Sequence, residues 1–172
     1  HLDFVKLGLK EWTRSQQFAR DPEGSYCWVA KLSAFRRRHC RDARMLDTLR
    51  LAAMGFPEKG PNKYNTPGSL TSAVAVGMFY IPQRMPPPQI GELATKIVRL
   101  THGDPTAFLS AAVLAYAITG ILLEPDMPLD AQFTSAISAM DHQFRSKYSE
   151  AYTVAATLSA AVERAKAAEP MD

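Results

Sequence analysis

The stretch that most restricts the fold runs from Ala107 to Leu123 and reads AFLSAAVLAYAITGILL. It is apolar on every side of a helical wheel. Such a helix must be surrounded, either by other helices or by lipid. It holds only 17 residues, with Ser110, Thr119 and Gly120 inside it and Asp104 and Glu124 at its ends. A bilayer span needs about 20 apolar residues, and no basic anchors flank this one. The reading is therefore a buried central helix, and no membrane partner is expected. Asp104 suits the N-cap and Pro105 the first helical position, where a missing N–H does no harm.

A central helix needs partners, and the rest of the chain supplies them. Residues 3–18 place Phe4, Val5, Leu7, Leu9 and Trp12 among Lys6, Lys10 and Glu11. The run RDARMLDTLRLAAMG spaces Met45, Leu46, Leu49 and Ala53 helically, with Asp42 suited to its start and Gly55 to its stop. A further helix is expected over 71–81, ending before Pro82. PQRMPPP then reads as a stiff connector. PQIGELATKIVRLTHG puts Ile90, Leu93, Ile97 and Leu100 on one face. PLDAQFTSAISAMDHQF and SEAYTVAATLSAAVERAKAAE are two more helices, the last stopped by Pro170. Residues 26–36 read either as a short helix or as an extended piece. No persuasive strand and no repeat is visible, so the class is all-α.

At 172 residues, 47% of them apolar and 22% charged, the chain has the makings of one globular domain. Its charge is uneven. Residues 1–50 carry eleven Lys/Arg against six Asp/Glu, and the remainder nine against eleven. The net +3 is no strong argument for a nucleic-acid partner. Cys27 and Cys40 form no disulfide framework and suit a reducing, cytoplasmic setting, although a single bridge stays open. No signal peptide is visible. The chain lacks an initiator Met, and His1 reads as a tag remnant or a cut within a longer protein.

Few residues carry an obvious chemistry. Arg36, Arg37, Arg38, Arg41 and Arg44 form a basic cluster that suits phosphate. A solvated basic turn explains it more simply, because no aromatic stacking platform accompanies it. His39 and Cys40 are adjacent and Cys27 is distant, which is poor spacing for zinc. No local signature marks a nucleophile for a Ser, His and Asp triad. Asp126 and Asp130 suit helix capping better than acid–base work.

Two helix starts remain. GPNKYNTPGSLTSAVAVGMFY, residues 60–80, runs from a polar loop into an apolar helix. Gly68 allows close backbone approach, and Ser69, Thr71 and Ser72 offer hydroxyls beside N–H groups at the start of a helix. No Gly-Lys-Ser/Thr follows, so this is not a P-loop. His102, in RLTHGDP, lies beside the start of the central helix. A lone His at such a turn is most often structural, but a helix start also attracts phosphate.

The order of these pieces resembles a known family. EWTRSQ, YCWVAKLSAFRRR, ARMLDTLRLAAMG, NKYNTPGSLTSAVAVGMFY and ATKIVRLTHGDPTAFLSAAVLAYAI together resemble the middle of an ADP-ribosylglycohydrolase-family protein. The resemblance is detailed over residues 8–125. It implies an orthogonal multi-helix bundle and hydrolysis of ADP-ribose from a modified target. The implied partner is ADP-ribose or an ADP-ribosylated protein. Its implied cofactor is a pair of magnesium ions held by carboxylates.

Carried over residue by residue, the resemblance makes Gly68, Ser69 and His102 the candidate phosphate and ADP-ribose contacts. Gly68 and Gly77 fall on the family loop's later glycines. Thr71 stands where Met is usual, Ser72 where Arg is usual and Ala75 where Pro is usual. Thr66 and Pro67 also depart from the pattern, and Pro67 removes a backbone donor. The family's Asp-Asp-Thr and Asp-x-Asp-Thr/Ser motifs do not occur in this sequence, so no magnesium ligand and no catalytic residue is assigned. The family is about twice as long. Residues 1–172 are accordingly expected to be a single all-α domain, a fragment or shortened form of a longer one. A catalytically silent ADP-ribose or nucleotide-binding module, or an interaction module, is the alternative to a hydrolase.

Overall fold

A computed structural model describes residues 2–17, 32, 43–51, 62–79 and 85–168. The described residues form seven helices and no strand. In chain order they are α1 (Leu2–Gln17), α2 (Ala43–Leu51), α3 (Ser69–Phe79), α4 (Pro87–Val98), α5 (Pro105–Leu123), α6 (Leu129–Phe144) and α7 (Glu150–Ala167). The all-α expectation holds. Asp42, Gly55, most of residues 26–36, the last two residues of the helix expected over 71–81, residues 82–84 of the connector and Pro170 lie outside the described residues.

α5 is the hub. It packs against α3, α4, α6 and α7, while α1 lies on α2 and α4. Among the described residues α5 is the one helix long and apolar enough to cross a bilayer, yet more than half of it is buried by its neighbours. Leu109, Ala111, Ala112 and Ala115 are fully enclosed. Fully burying a Leu or Ile side chain contributes about 1.5–3 kcal/mol, so this helix anchors the core. Its capping follows the sequence. Asp104 accepts a hydrogen bond of 2.8 Å from the Thr106 N–H and also binds the Thr106 hydroxyl.

α4 presents Ile90, Ala94, Ile97 and Val98 to the core at helical spacing. Pro86 takes the N-cap position, and Pro occupies the first helical turn. Proline is tolerated there because those N–H groups have no intrahelical acceptor. Glu92 and Lys96 pair at 2.8 Å on its outer face. That neighbouring ammonium draws the Glu92 carboxyl below its ordinary range.

Close approach of the helices depends on glycine at two crossings. A Cβ on Gly91 would lie 2.3 Å from the Tyr116 hydroxyl, so α4 and α5 touch only because none is there. Tyr116 in turn donates to Gln143, whose Nε2 donates to the Pro88 carbonyl at 2.8 Å. This ties α4, α5 and α6 together. A Cβ on Gly77 of α3 would lie 2.9 Å from the Ile118 Cβ and 3.0 Å from the Ala115 carbonyl of α5.

α3 begins at Ser69, two residues earlier than expected, because Thr66 and Pro67 carbonyls accept from the Ser69 and Leu70 N–H groups. α6 also differs from expectation. Its N-cap is Pro128 with no side-chain cap, so neither Asp126 nor Asp130 caps it. Asp130 instead pairs with Lys166 of α7 at 3.4 Å.

Candidate functional site

Residues 62–66 form a strap that leads through a turn at Pro67 and Gly68 into α3 and lies against the turn between α4 and α5. Burial alternates along it. Asn62, Tyr64 and Thr66 are half-buried, whereas Lys63, Asn65 and Pro67 are exposed. That period of two is the signature of extended chain with one face docked. The docked face meets residues 101–104.

Three sets of contacts hold it there. The Asn62 side chain donates to the Thr101 carbonyl at 2.9 Å and accepts from the Gly103 N–H at 3.1 Å. The Tyr64 carbonyl accepts from the Asp104 N–H at 3.4 Å. The Thr66 hydroxyl shares a 2.9 Å hydrogen bond with His102 Nε2.

His102 is set by the end of α4. The chain leaves that helix in a tight turn, with the Thr101 and His102 N–H groups both donating to the Val98 carbonyl. The imidazole points inward and is only 1% exposed. Its Nδ1 lies 2.8 Å from the Thr101 hydroxyl, so each ring nitrogen faces a threonine. Buried polar groups are stabilising when so satisfied and costly otherwise.

The structure brings the three candidate residues together. An added Cβ on Gly68 would stand 3.7 Å from the Thr66 hydroxyl and 3.8 Å from His102 Nε2, so the side of the glycine without a side chain faces this inner layer. Ser69 follows but is 4% exposed, and its N–H is used by the Thr66 carbonyl. Thr71, one turn on, is exposed and donates its hydroxyl to the Gly68 carbonyl at 2.8 Å. The surface available to a ligand is therefore the outer edge of the strap, with Gly68 half-buried at its end. The inner layer of Thr66, His102 and Thr101 lies beneath it.

Both helix starts are occupied. The first N–H groups of α3 are engaged in the preceding turn. At α5 the Asp104 carboxylate already takes the Thr106 N–H. A negative side chain there competes with any incoming anion for the helix dipole.

The magnesium pair implied by the family resemblance does not fit the donors of the described residues. Magnesium takes oxygen ligands in octahedral geometry, chiefly carboxylates. Among the described residues no group of three or more His, Cys, Asp or Glu converges. The carboxylate nearest in sequence to His102, Asp104, is the α5 cap. A groove of about 660 Å³ between α5, α6 and α7 is apolar apart from Ser110, Asp130 and Lys166. It gathers no polar cluster suited to a diphosphate.

Arg36, Arg37, Arg38, Arg41, Cys27, His39 and Cys40 lie outside the described residues, and Arg44 is placed only as part of the α2 backbone. Sequence reasoning passed over Asn62 and Thr101. A local clue to Asn62 existed, since an Asn side chain often accepts from the backbone two residues on. Asn62 does accept from the Tyr64 N–H at 2.9 Å. Its partners about forty residues away left no such trace.

Comparison with known proteins agrees with the order of motifs. No curated protein and no solved structure matches the chain. The family model described as ADP-ribosylglycohydrolase matches residues 3–172, nearly the whole chain. The strap, the His102 turn and the apolar α5 thus sit within one continuous family match, and the chain belongs to the ADP-ribosylglycohydrolase family.

Proposed function

We propose that the strap and the His102 turn form the ADP-ribose-binding part of a hydrolase that removes ADP-ribose from a modified target. The observation that carries this reading is the position of Gly68. It sits half-buried at the end of the strap, beside His102, within a chain-long family match. A glycine there lets the strap close onto His102 and Thr66, which leaves its outer edge for a diphosphate. His102 and Ser69 then act from beneath by holding that backbone in place. Hydrolysis by this family's route calls for carboxylates beyond those the described residues bring together.

A second reading has its own support. The sequence holds neither acidic motif of the family, and Ser72 replaces the usual Arg. Both favour a catalytically silent module that binds ADP-ribose or a nucleotide.

Calorimetric titration of the 172-residue chain with ADP-ribose, with and without magnesium, separates the two. Binding that strengthens with magnesium supports the hydrolase. Binding indifferent to magnesium supports the silent module. No binding in either condition sinks both. Lys63→Glu is the site test, because Lys63 is exposed on the outer edge of the strap. It should fold normally and, by placing a like charge beside the diphosphate, weaken ADP-ribose binding about ten-fold, a loss of about 1.4 kcal/mol.

A further inference from the structure

We infer that Asn62 is the positioning residue of this site: its side-chain amide sets the path of the strap backbone that faces the ligand. The inference about ligand rests on the ADP-ribose reading above, whereas the clamp itself rests on geometry alone. A primary amide has two N–H donors and an oxygen that accepts twice. Asn62 uses all four. Its Nδ2 donates to the Thr48 hydroxyl at 2.7 Å and to the Thr101 carbonyl at 2.9 Å. Its Oδ1 accepts from the Tyr64 N–H at 2.9 Å and from the Gly103 N–H at 3.1 Å.

Those four partners belong to three separate pieces of chain. Thr48 is a buried residue of α2, Tyr64 is in the strap, and Thr101 and Gly103 belong to the turn that carries His102. One side chain therefore sets α2, the strap and the turn relative to one another. The strap's other anchor is the Thr66 and His102 contact, four residues on. Between them the Asp104 N–H donates to the Tyr64 carbonyl across a long 3.4 Å. Loss of the Asn62 amide would remove four hydrogen bonds at the start of the strap while leaving the Thr66 end attached.

No other residue type repeats the pattern. Asp has the same shape but, ionised, donates nothing. Its charge would also face the Thr101 carbonyl. Gln carries one more methylene and would push the amide past Thr48 and Gly103. Ala leaves both backbone N–H groups and the Thr48 hydroxyl without these partners.

The test uses the full chain as wild type, Asn62→Ala, Asn62→Asp and Thr48→Val. Amide hydrogen exchange is read at Tyr64 and Gly103, with the centre of α5 as the internal reference. ADP-ribose affinity is measured where circular dichroism shows each variant folded. Asn62→Ala should exchange at least about ten-fold faster at both amides, with α5 unchanged, and bind ADP-ribose about ten-fold more weakly. Asn62→Asp keeps the two acceptor bonds and should fall between wild type and Asn62→Ala in both readouts. Should Asn62→Ala not fold, Thr48→Val removes one arm of the clamp alone and should weaken binding about three-fold. Wild-type exchange at Tyr64 and Gly103 in folded Asn62→Ala overturns the clamp. Faster exchange with wild-type affinity overturns its role in positioning. Failure of the wild-type chain to bind ADP-ribose overturns the ligand reading while the exchange data still decide the clamp.

Discussion

The Thr66 hydroxyl and His102 Nε2 lie 2.9 Å apart although 36 residues separate them in sequence. This contact pins the end of the strap to the turn between α4 and α5. It also turns the imidazole away from solvent, leaving it 1% exposed. His102→Ala should therefore act first on stability. It removes a buried ring and strips partners from the Thr66 and Thr101 hydroxyls, at a cost of about 2–4 kcal/mol. Urea unfolding followed by circular dichroism measures this, and an unmoved midpoint would contradict it. Thr66→Val keeps the shape and loses one hydrogen bond, so about 1 kcal/mol is expected.

The two glycines assigned to one loop by resemblance should behave oppositely. Gly77 sits against the backbone and β-branched side chain of α5, at 2.9–3.0 Å for an added Cβ. Gly77→Ala must push α3 off α5, and overpacking of this kind costs about 1–3 kcal/mol. Gly68→Ala meets only ordinary contacts, so its stability should stay within about 0.5 kcal/mol of wild type. Thermal denaturation of both variants checks the contrast. Equal losses would show that α3 and α5 do not approach as closely as described.

Alkaline stability should depend on Tyr116. Burial, with a smaller contribution from the nearby Glu92 carboxylate, pushes its phenol up from 10.0 to about 12. The folded state then keeps a proton that the unfolded chain releases. Stability linked to Tyr116 is intact below pH 10 and is lost as pH rises from there towards about 12. Denaturant midpoints across that window should fall for wild type and fall less steeply for Tyr116→Phe. Tyr116→Phe will start lower, because it gives up the bond to Gln143. Parallel slopes for the two proteins would rule out this source of pH dependence.

Features that depend on neighbours in sequence were readable without the fold. Asp104 caps α5 because its carboxylate reaches an N–H only two residues on. Ile90 and Ile97 are buried together because helical geometry puts them on one face of α4. The all-apolar α5 had to become the hub, since no other position hides every side of it. The motif order likewise carried the family, because it is itself a property of the sequence.

Features that depend on distant partners were not readable. The family resemblance made His102 and Ser69 candidate ligand contacts, and nothing local says that both residues are buried. Asn62 looked like one more polar loop residue, yet its amide joins Thr48, Thr101 and Gly103. Asp130 suggested a cap, and its partner proved to be Lys166 on another helix. Local propensity and periodicity act over a few residues, so the chain's own order determines its helices and their buried faces. Long-range hydrogen bonds arise only when packing brings separate segments within about 3 Å, so the roles of Asn62, Thr66 and His102 emerge with the packed fold.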